Sequence, residues 1–577
     1  MDLTKNPTTR FAVAAALGLV LGSCGGGYSS GGGGGGGGTA LCSTTPGGGI
    51  MTVSGQAQFE FVPHNPATSG LDYAGTVSQP IRGATIQVRR GNVAGTCATG
   101  TVLGATTTDA SGNYSIPNIT WYEEAKVCVR AELLLADAGG GAPSWDVQVV
   151  DNTNASAIYV LETAGFCTNT GNQTKNLLAT TGWGGAGYTG TRAAAPFAIL
   201  DAVYKAIQKI LAVEATADFP ALDLNWSVNN TDSSGNLALG QIGTSFYSND
   251  EIYILGDDNN DTDEFDDHVI IHEYGHYLED NLSRSDSIGY QHSSGDLLDP
   301  RVAYGEGFGN AWSGIVTDDP VYRDSRLNLQ ASGFPIDVEN DTVTATQTGW
   351  FSETSVQAVL YDLYDTTNEA GGTGDSGSVG LTPLWTTWRG AQSTTPTLTT
   401  IFSLLDGVRA AAPGSVAFID ALAGANGING TDALGTGETN DASLGLSPAA
   451  SCTTANRALP VYIAYTPGVT GTIGVPSSKV DGEYNKLGNR RFIRFTLGGA
   501  GSHTFTVTSP TGQDPDAYLF NAGVVVGGPH EAVGNESWTD NLPAGNYVLE
   551  VYPFTNVDEA FGQATAGGDI CLLVTIT

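Results

Sequence analysis

The sequence predicts a multidomain protein in which a β-sandwich is followed by an α+β region and then by a second strand-rich region. The chain has 577 residues, which is enough for roughly three or four domains with separate cores. Short runs of alternating apolar and polar residues fill residues 50–165 and return after residue 451. Between these two regions, apolar residues recur with the period of a helix.

The composition is strongly acidic. Lys and Arg together number 23 against 59 Asp and Glu, so the formal net charge is −36. Such a surface repels nucleic acids and anionic membranes, and neither is an expected partner. The 79 glycines indicate many loops and turns outside the helical region.

Residues 1–24 are predicted to be an export signal. Lys5 and Arg10 precede a short apolar stretch, residues 11–22, which has the length of a signal peptide rather than of a membrane span. Its end, Leu-Gly-Ser-Cys, resembles the lipobox of bacterial lipoproteins, with Cys24 as the lipidated residue. That resemblance, and Gly25 after the cysteine, imply an exported protein with an N-terminal lipid anchor in the outer membrane or at the cell surface. Ordinary signal cleavage beside an incidental cysteine is the alternative.

Residues 25–49, with their run of eight glycines, are expected to form a flexible tether. Residues 50–165 then contain short alternating strands, which predict a β-sandwich. The runs PIRGATIQV and TDASGNYSI in this region resemble the carboxypeptidase regulatory-like domain, a module that implies a spacer or an adhesion unit.

The α+β region is assigned to residues 166–450. Pro196 opens an amphipathic helix, and a strand over residues 251–255 precedes an acidic run and an apolar helix over residues 269–280. A further helix is expected over residues 303–315. Three more helical patterns begin near residues 352, 400 and 416.

The helix over residues 269–280 carries the pattern H-E-x-x-H at His272, Glu273 and His276. Residues four apart lie on one helix face, so both imidazoles can bind one metal ion, and Glu273 can reach a water molecule there. Asp261 and Glu264 are interpreted as a capping box at the start of this helix. The alternative is a surface helix with incidental histidines, which the surrounding apolar residues disfavour.

A third ligand is needed, because catalytic zinc usually has three protein ligands. A metzincin would have a glycine and a histidine where this chain has Glu279 and Leu282, so that class is excluded. The run GEGFGN resembles the second ligand helix of gluzincins of the fungalysin type. The resemblance implies Glu306 as third ligand and Asn310 where an Asp orients a metal-binding histidine. Should Glu306 instead be an exposed helix carboxylate, the next candidate acids are Asp296, Asp299 and Glu353.

The resemblance implies a zincin-like metallopeptidase domain and therefore a zinc metallopeptidase acting on a protein or peptide substrate. In that reaction Glu273 would take a proton from water activated by zinc and deliver it to the leaving amine. Thermolysin-like enzymes use a downstream histidine as oxyanion donor, but this chain has no histidine between residues 292 and 503. Tyr361 is the first candidate to replace it and His292 the second, although helical tyrosines usually serve packing.

Calcium is a second candidate ion. Asp257, Asn259, Asp261 and Asp263 could bind it within the acidic run, although that run lacks the Gly and terminal Glu of an EF-hand loop. The alternative is that these carboxylates only complement the dipole of the following helix.

Residues 451–577 contain strand patterns again, and DPDAYLF followed by NESWTDNLPAGNYVLEV resembles the bacterial pre-peptidase C-terminal domain, a β-sandwich. Besides Cys24, six cysteines remain, an even number that predicts disulfides in an exported chain. Cys452 and Cys571 lie at the two ends of this module and are expected to pair. Among the other four, Cys97 with Cys128 and Cys42 with Cys167 is the favoured combination of three.

A function from another class is left open. The chain would then be a non-enzymatic surface adhesin or scaffold lipoprotein with a vestigial zincin domain. Intact His272, Glu273, His276 and Glu306 favour the enzyme, because a non-functional copy is free to lose any of them.

Overall fold

The computed structural model describes residues 42, 49–168, 171–340, 342–367, 377–439, 452, 459–477, 484–509, 513–530, 533–557 and 570–577. Cys24, the expected signal peptide and nearly all of the glycine-rich tether lie outside these residues. The chain divides into two compact units: Phe11–Tyr274 with Tyr322–Ile336, and Met1–Arg10 with Gly275–Val321 and Asp337–Thr577. Within the described residues, no helix combines the length and apolar character needed to span a bilayer.

The unit that begins at Phe11 is rich in strands. They are β1 (Ile50–Phe61), β2 (Val77–Pro80), β3 (Ala84–Arg90), β4 (Val102–Thr107), β5 (Asn113–Thr120), β6 (Glu124–Leu135), β7 (Trp145–Asp151), β8 (Ala157–Ile158), β9 (Val160–Glu162), β10 (Phe166–Cys167), β11 (Gln173–Thr174), β12 (Leu177–Ala179), β13 (Leu222–Trp226), β14 (Phe246–Ser248), β15 (Glu251–Ile254), β16 (Gly256–Asp257), β17 (Asp261–Thr262), β18 (Val321–Arg326) and β19 (Ser332–Asp337). Helices α1 (Thr96–Thr99), α2 (Ala195–Leu211) and α3 (Asp267–Leu282) lie between them in sequence.

These strands form three sheets. In one, β1 lies between β11 and β12 and also pairs with β2 and β5. The largest has the order β14-β15-β13-β7-β6-β3-β4, and β16 to β19 form a small sheet in chain order. Strands β7 and β13 pair in parallel, Leu222 with Val147, so hydrogen bonding crosses the boundary predicted between residues 165 and 166.

Helix α2 confirms the amphipathic pattern that begins at Pro196. Its buried residues include Phe197, Leu200, Val203 and Ile207. It contacts strands β6 and β7 of the largest sheet. Because one apolar helix face and one sheet face remove each other from water, this contact forms the core of the unit.

The second unit contains most of the helical part of the chain. Its helices are α4 (Pro300–Thr317), α5 (Glu353–Tyr364), α6 (Leu381–Thr387), α7 (Ile401–Ala411) and α8 (Val416–Ala425), and Trp388–Gln392 extends α6 as a π-helical turn. The sequence predicted α4, α5, α7 and α8 but not α6. Helix α4 is buried along nearly its whole length.

Glycines allow the helices of this unit to approach closely. A Cβ atom added at Gly307 would lie 2.6 Å from a methyl group of Val356 on α5. One added at Gly275 on α3 would lie 3.4 Å from the Cα atom of Gly309 on α4. Glycine is a poor helix former, so its use in α4 is explained by these contacts.

The C-terminal strands form a β-domain of two sheets. They are β20 (Tyr462–Ala464), β21 (Ile473–Ser477), β22 (Arg491–Leu497), β23 (Gly501–Thr508), β24 (Pro515–Asn521), β25 (Val524–His530), β26 (Glu536–Leu542), β27 (Gly545–Pro553) and β28 (Ile570–Ile576). The sheet orders are β20-β22-β27-β24-β25 and β21-β28-β23-β26. Ile493 and Leu549 of one sheet and Phe505 and Leu572 of the other belong to one buried core. This is a sandwich arrangement.

The six cysteines among the described residues form three disulfides. Cys42 pairs with Cys167, Cys97 with Cys128, and Cys452 with Cys571. These are the pairs that the sequence favoured.

Candidate metal centre

Helix α3 carries both histidines of the H-E-x-x-H pattern. Ile270, Ile271, Tyr274, Tyr277 and Leu278 on this helix are fully buried. Their burial fixes the rotation of the helix about its axis and so the direction in which the histidines point. One nitrogen each of His272 and His276 and one oxygen of Glu306 lie within 4.8 Å of one another.

Glu306 is brought to the histidines by helix α4. That helix begins at Pro300, and its N-cap Asp299 accepts a hydrogen bond from the backbone N–H of Arg301. Proline is well suited to the first turn, where its missing N–H needs no partner. Two turns later, Oε2 of Glu306 lies 3.5 Å from Nε2 of His276. Glu306 is only 7% exposed, so it is not the solvated helix carboxylate of the alternative interpretation.

Glu273 is held by the edge strand of the largest sheet. Its Oε2 atom accepts a hydrogen bond of 2.9 Å from the backbone N–H of Tyr247 on β14. A hydrogen bond from a backbone amide restricts the orientation of a carboxylate. This contact therefore fixes the position of one oxygen of Glu273.

Glu279 also contacts the site, and the sequence analysis gave it no role there. It follows His276 by three residues, so both lie on one face of α3. Its Oε2 atom lies 3.5 Å from Nδ1 of His276, and the side chain is 1% exposed. Burial raises the pKa of Glu279, while the contact with His276 opposes that shift. The spacing of the two residues could have revealed this contact.

Asn310 lies one turn after Glu306, where the resemblance expects it. Its side-chain N–H donates a hydrogen bond of 2.9 Å to Oε1 of Gln357 on α5. Both side chains are buried. This hydrogen bond connects α4 to α5 one helical turn after Glu306.

His292 lies between two carboxylates. Its Nε2 atom is 3.4 Å from Oε2 of Glu306 and 3.2 Å from Oε2 of Glu353. Burial lowers the pKa of His292, but Glu306 and Glu353 raise it more strongly, to about 10. Glu353 thus joins the site through His292.

The segment that carries His292 is braced by the C-terminal β-domain. The side-chain amide of Asn485 donates to the carbonyl oxygens of Gly289 and Tyr290, at 2.9 and 3.1 Å. Lys486 pairs with Asp296 at 3.0 Å. Both contacts hold a stretch that has no helix or strand of its own.

Tyr361, the first candidate for the oxyanion donor, is not brought to this cluster. It lies two turns after Glu353 on α5, a rise of about 12 Å. A Cβ atom added at Gly314 would lie 2.9 Å from its ring. Because α4 and α5 run side by side, Glu306 lies level with Glu353 and Gly314 level with Tyr361. The role of Tyr361 as oxyanion donor stays a prediction. The second candidate, His292, is the one that contacts Glu306.

Two of the three reserve candidates for the third ligand have other partners. Asp299 caps α4 and forms an ion pair with Arg301 at 2.9 Å, and Asp296 pairs with Lys486. The structure therefore leaves Glu306 as the acid that meets both histidines.

The capping box predicted from Asp261 and Glu264 is wrong. Asp261 belongs to strand β17, and α3 begins at Asp267. Glu264 is fully buried, and its carboxylate accepts a hydrogen bond of 3.0 Å from Nε of Arg192. The pairing with a distant arginine prevails over the local capping pattern because a buried carboxylate needs a charged partner.

The acidic run is only partly arranged as the calcium prediction expected. Asp261 and Asp263 do lie close together, but their third neighbour is Asp324 of β18. Asp257 instead accepts a hydrogen bond of 3.0 Å from the backbone N–H of Asn259. Asp257 also lies opposite Asp261 in the pairing of β16 with β17, and calcium binding by the predicted set of four stays a prediction.

Comparison with known proteins identifies one family. Residues 213–399 match the family described as Mycolysin C-terminal domain. This stretch includes His272, Glu273, His276 and Glu306. The chain thus contains a peptidase-associated domain. No curated protein sequence matches the chain significantly.

Several solved structures resemble short parts of the chain. The pre-peptidase C-terminal domain of a Bacillus anthracis collagenase is 14% identical, with 20% of this chain and 94% of that chain covered and a TM-score of 0.15. A periplasmic inhibitor of g-type lysozyme from Aeromonas hydrophila is 19% identical over 20% of this chain and 99% of its own, with a TM-score of 0.13. A surface-associated copper-binding protein from Methylomicrobium album is 8% identical over 20% and 98%, with a TM-score of 0.15. Scores at this level carry no conclusion about the fold.

Proposed function

We propose that the chain is a zinc-dependent metallopeptidase that hydrolyses peptide bonds of protein or peptide substrates outside the cell. The observation that carries this proposal is the convergence of His272, His276 and Glu306. Glu273, on the same helix as the histidines, supplies the carboxylate that a hydrolytic site of this kind needs. The match of residues 213–399 to a peptidase-associated family supports it.

The three donors fit zinc in their chemistry and their spacing. Two imidazole nitrogens and one carboxylate oxygen form a frequent ligand set of catalytic zinc, with a fourth position left for water or substrate. Ligand atoms about 2.0–2.1 Å from a tetrahedral ion stand roughly 3.3–3.5 Å apart. The separation of 3.5 Å between Nε2 of His276 and Oε2 of Glu306 agrees with this value.

Zinc, when bound, would polarise the scissile carbonyl and lower the pKa of a water molecule. Glu273 would accept a proton from that water and deliver it to the leaving amine. The hydrogen bond from the Tyr247 N–H supports this role, since it fixes the position of one oxygen of the carboxylate.

The neighbouring residues would keep the ligands in position. Glu279 contacts the ring nitrogen of His276 that faces away from Glu306 and would fix the orientation of the imidazole. His292, between Glu306 and Glu353, would hold the Glu306 side chain and could donate a hydrogen bond to a developing oxyanion.

The test combines metal analysis with hydrolysis of casein by the purified full chain. We expect about one zinc per chain, and activity that a chelator abolishes and added zinc restores. Glu273→Gln should retain zinc but lose roughly 10²-fold or more in kcat. Asp280→Asn, which alters an acid on the same helix, is the control and should behave as the native chain does.

If the purified chain binds no zinc and hydrolyses no protein substrate, that result would favour the alternative function, a non-enzymatic adhesin or scaffold.

For the location of the protein, we propose export and attachment to the outer membrane or cell surface through a lipid on Cys24. The net charge of −36 argues against nucleic acid as a partner, because a strongly acidic surface repels it.

A further inference from the structure

Three aspartates converge next to the start of helix α3, away from the His and Glu ligands. Asp261 lies on β17, Asp263 in the turn that follows it, and Asp324 on β18. A carboxylate oxygen of each lies within 4.8 Å of those of the other two. The Asp263 side chain is at the centre of this arrangement and is 3% exposed.

The oxygens that remain free in this group point to a ligand. Oδ2 of Asp263 accepts a hydrogen bond from the hydroxyl of Ser245. Its Oδ1 atom is buried and has no hydrogen-bond partner among the described residues, and the same holds for Oδ1 of Asp261 and of Asp324. Burial of one carboxylate oxygen without a partner is costly, and three close together repel one another as well. Burial and the neighbouring carboxylates raise the pKa of Asp261 to about 7 and that of Asp324 to about 8. Such a group is therefore stabilised either by protons or by a cation placed among its members.

Arg326 favours the ionised forms of Asp261 and Asp324, but no charged side chain among the described residues forms a hydrogen bond with the three unpaired oxygens. Asp266, also buried, is already engaged, because it accepts hydrogen bonds from Ser325 and lies 3.0 Å from Nε2 of His64. Arg326 follows on β18, but its guanidinium lies over the ring of Phe334, 5.0 Å from the ring centre. Neither residue gives a hydrogen bond to the three unpaired oxygens.

We propose that Asp261, Asp263 and Asp324 bind one calcium ion. The donors are all carboxylate oxygens, which select a hard cation rather than zinc or copper. Calcium accepts several carboxylates in a flexible shell of six to eight oxygens, whereas magnesium usually takes one or two and retains several waters. Water and backbone carbonyls would complete the shell. The proposal is independent of the zinc site.

The ion would brace the start of helix α3. The backbone N–H of Asp266 donates to the carbonyl of Asp263 at 2.9 Å, and that of Ile270 donates to the carbonyl of Asp266 at 3.2 Å. Asp263 is therefore connected directly to the first turn of the helix that carries His272. Through Asp324, the ion would tie this turn to β18. Calcium should thus stabilise the folded state without taking part in chemistry.

The first experiment uses the full chain, stripped of metals with a chelator and then dialysed. We expect calcium chloride at about 100 times its Kd to raise the Tm by roughly 2–5 °C, and magnesium chloride to raise it much less. Terbium should bind with a stoichiometry of one and show luminescence sensitised by nearby aromatic rings, which calcium displaces. His272→Ala, tested in the same way, should keep the terbium signal, because the zinc ligands are not involved.

The second experiment uses Asp324→Asn, with Asp257→Asn as the matched control from the same acidic surface. Without calcium, Asp324→Asn should be at least as stable as the stripped native chain, since one of three like charges is gone. It should lose the calcium-induced rise in Tm and at least tenfold in terbium affinity, while Asp257→Asn keeps both. If Asp324→Asn does not fold, Asp261→Asn replaces it. A native chain without response to calcium, an equal response to magnesium, or an unaltered response in the Asp324 variant would overturn the proposal.

Discussion

Oε2 of Glu279 lies 3.5 Å from Nδ1 of His276, while Nε2 of the same ring lies 3.5 Å from Glu306. The two nitrogens of one imidazole thus face two carboxylates. Glu279 occupies the position of the carboxylate that commonly accepts a hydrogen bond from the second ring nitrogen of a metal-binding histidine. Such a contact makes the histidine a better ligand. The near-complete burial of Glu279 leaves it little freedom to move away.

Glu279→Gln should therefore weaken zinc binding. The amide is neutral and no longer favours a proton on Nδ1, so we expect a loss on the order of 10–100-fold in zinc affinity. Competition with a chromophoric chelator at fixed pH measures it. Asp280→Asn, one position later, removes an acid that points about 100° away around the helix and serves as control. An unaltered zinc Kd in Glu279→Gln would mean that the contact does not hold the ring.

Local spacing alone was sufficient to predict that His272 and His276 lie close together, because a helix fixes which of its residues share a face. The same spacing rule places Glu279 on the helix face of His276, three residues earlier, although the sequence indicated Glu279 only as evidence against a metzincin. Glu306 required a resemblance, since the sequence does not indicate how α4 packs on α3. The structure shows that glycines such as Gly307 permit the close packing of α4.

Glu306→Ala should lower zinc occupancy itself. The substitution removes one of three protein ligands and its charge, so we expect well under one zinc per chain after dialysis, and no measurable casein hydrolysis. Metal analysis of the dialysed protein decides this. Asn310→Ala, on the same helix face, should be milder and lose about 10–100-fold in affinity or activity. Full zinc and full activity in Glu306→Ala would show that another residue is the third ligand.

His292→Ala should reduce catalysis, whereas Tyr361→Phe should not. His292 contacts Glu306 and Glu353, so its loss removes a donor beside the reacting group, and we expect a decrease in kcat on the order of 10²-fold. The Tyr361 ring lies beside Gly314, and Tyr361→Phe should keep kcat within about twofold. Tyr361→Phe should keep the native zinc affinity, whereas His292→Ala should lower it by about 10–100-fold because His292 contacts the ligand Glu306; kcat is therefore compared at saturating zinc. If both retain full kcat, the oxyanion donor lies elsewhere.

The errors of sequence-based prediction all arose from contacts between distant parts of the chain. The position of Glu264 in the sequence resembles that of a capping residue, but in the fold its carboxylate pairs with the distant Arg192. Asp324, far along the chain from the acidic run, joins Asp261 and Asp263, and the sequence did not indicate this contact. The sequence did not predict helix α6 or the pairing of β7 with β13, because both depend on contacts with segments that are distant in sequence. By contrast, α2, α5, α7 and α8 follow from periodicity within a single segment.

Membrane attachment is predicted to depend on Cys24. Cys24→Ser removes the thiol to which a lipid would be joined, and we expect the variant to move from the membrane fraction to the soluble fraction with its fold intact. Fractionation followed by immunoblotting and circular dichroism measures both effects. Cys24 lies outside the described residues, so the test does not depend on the structure. Unchanged membrane association would reject the lipobox interpretation.

Arg301 connects the ligand-bearing helix α4 to the C-terminal β-domain. Its guanidinium is 2.9 Å from Asp299, the N-cap of α4, and 2.8 Å from Glu550 on β27. Arg490 approaches the other oxygen of Glu550 at 2.6 Å. All four side chains are nearly inaccessible to solvent. The charges of this group therefore balance only while the helix and the β-domain remain together.

Arg301→Ala should destabilise the protein strongly, because it leaves Asp299 and Glu550 buried with less positive charge beside them. Removal of one member of a buried ion pair costs about 3–5 kcal/mol. Arg90→Ala is the control, since its partner Glu123 and Arg90 itself are partly exposed, 24% and 54%, and such pairs contribute about 0–1 kcal/mol. Urea unfolding followed by tryptophan fluorescence measures both free energies. If the two variants were equally stable, water would have to reach Asp299 and Glu550, and the β-domain would be an independent module rather than a support for the helix that carries Glu306.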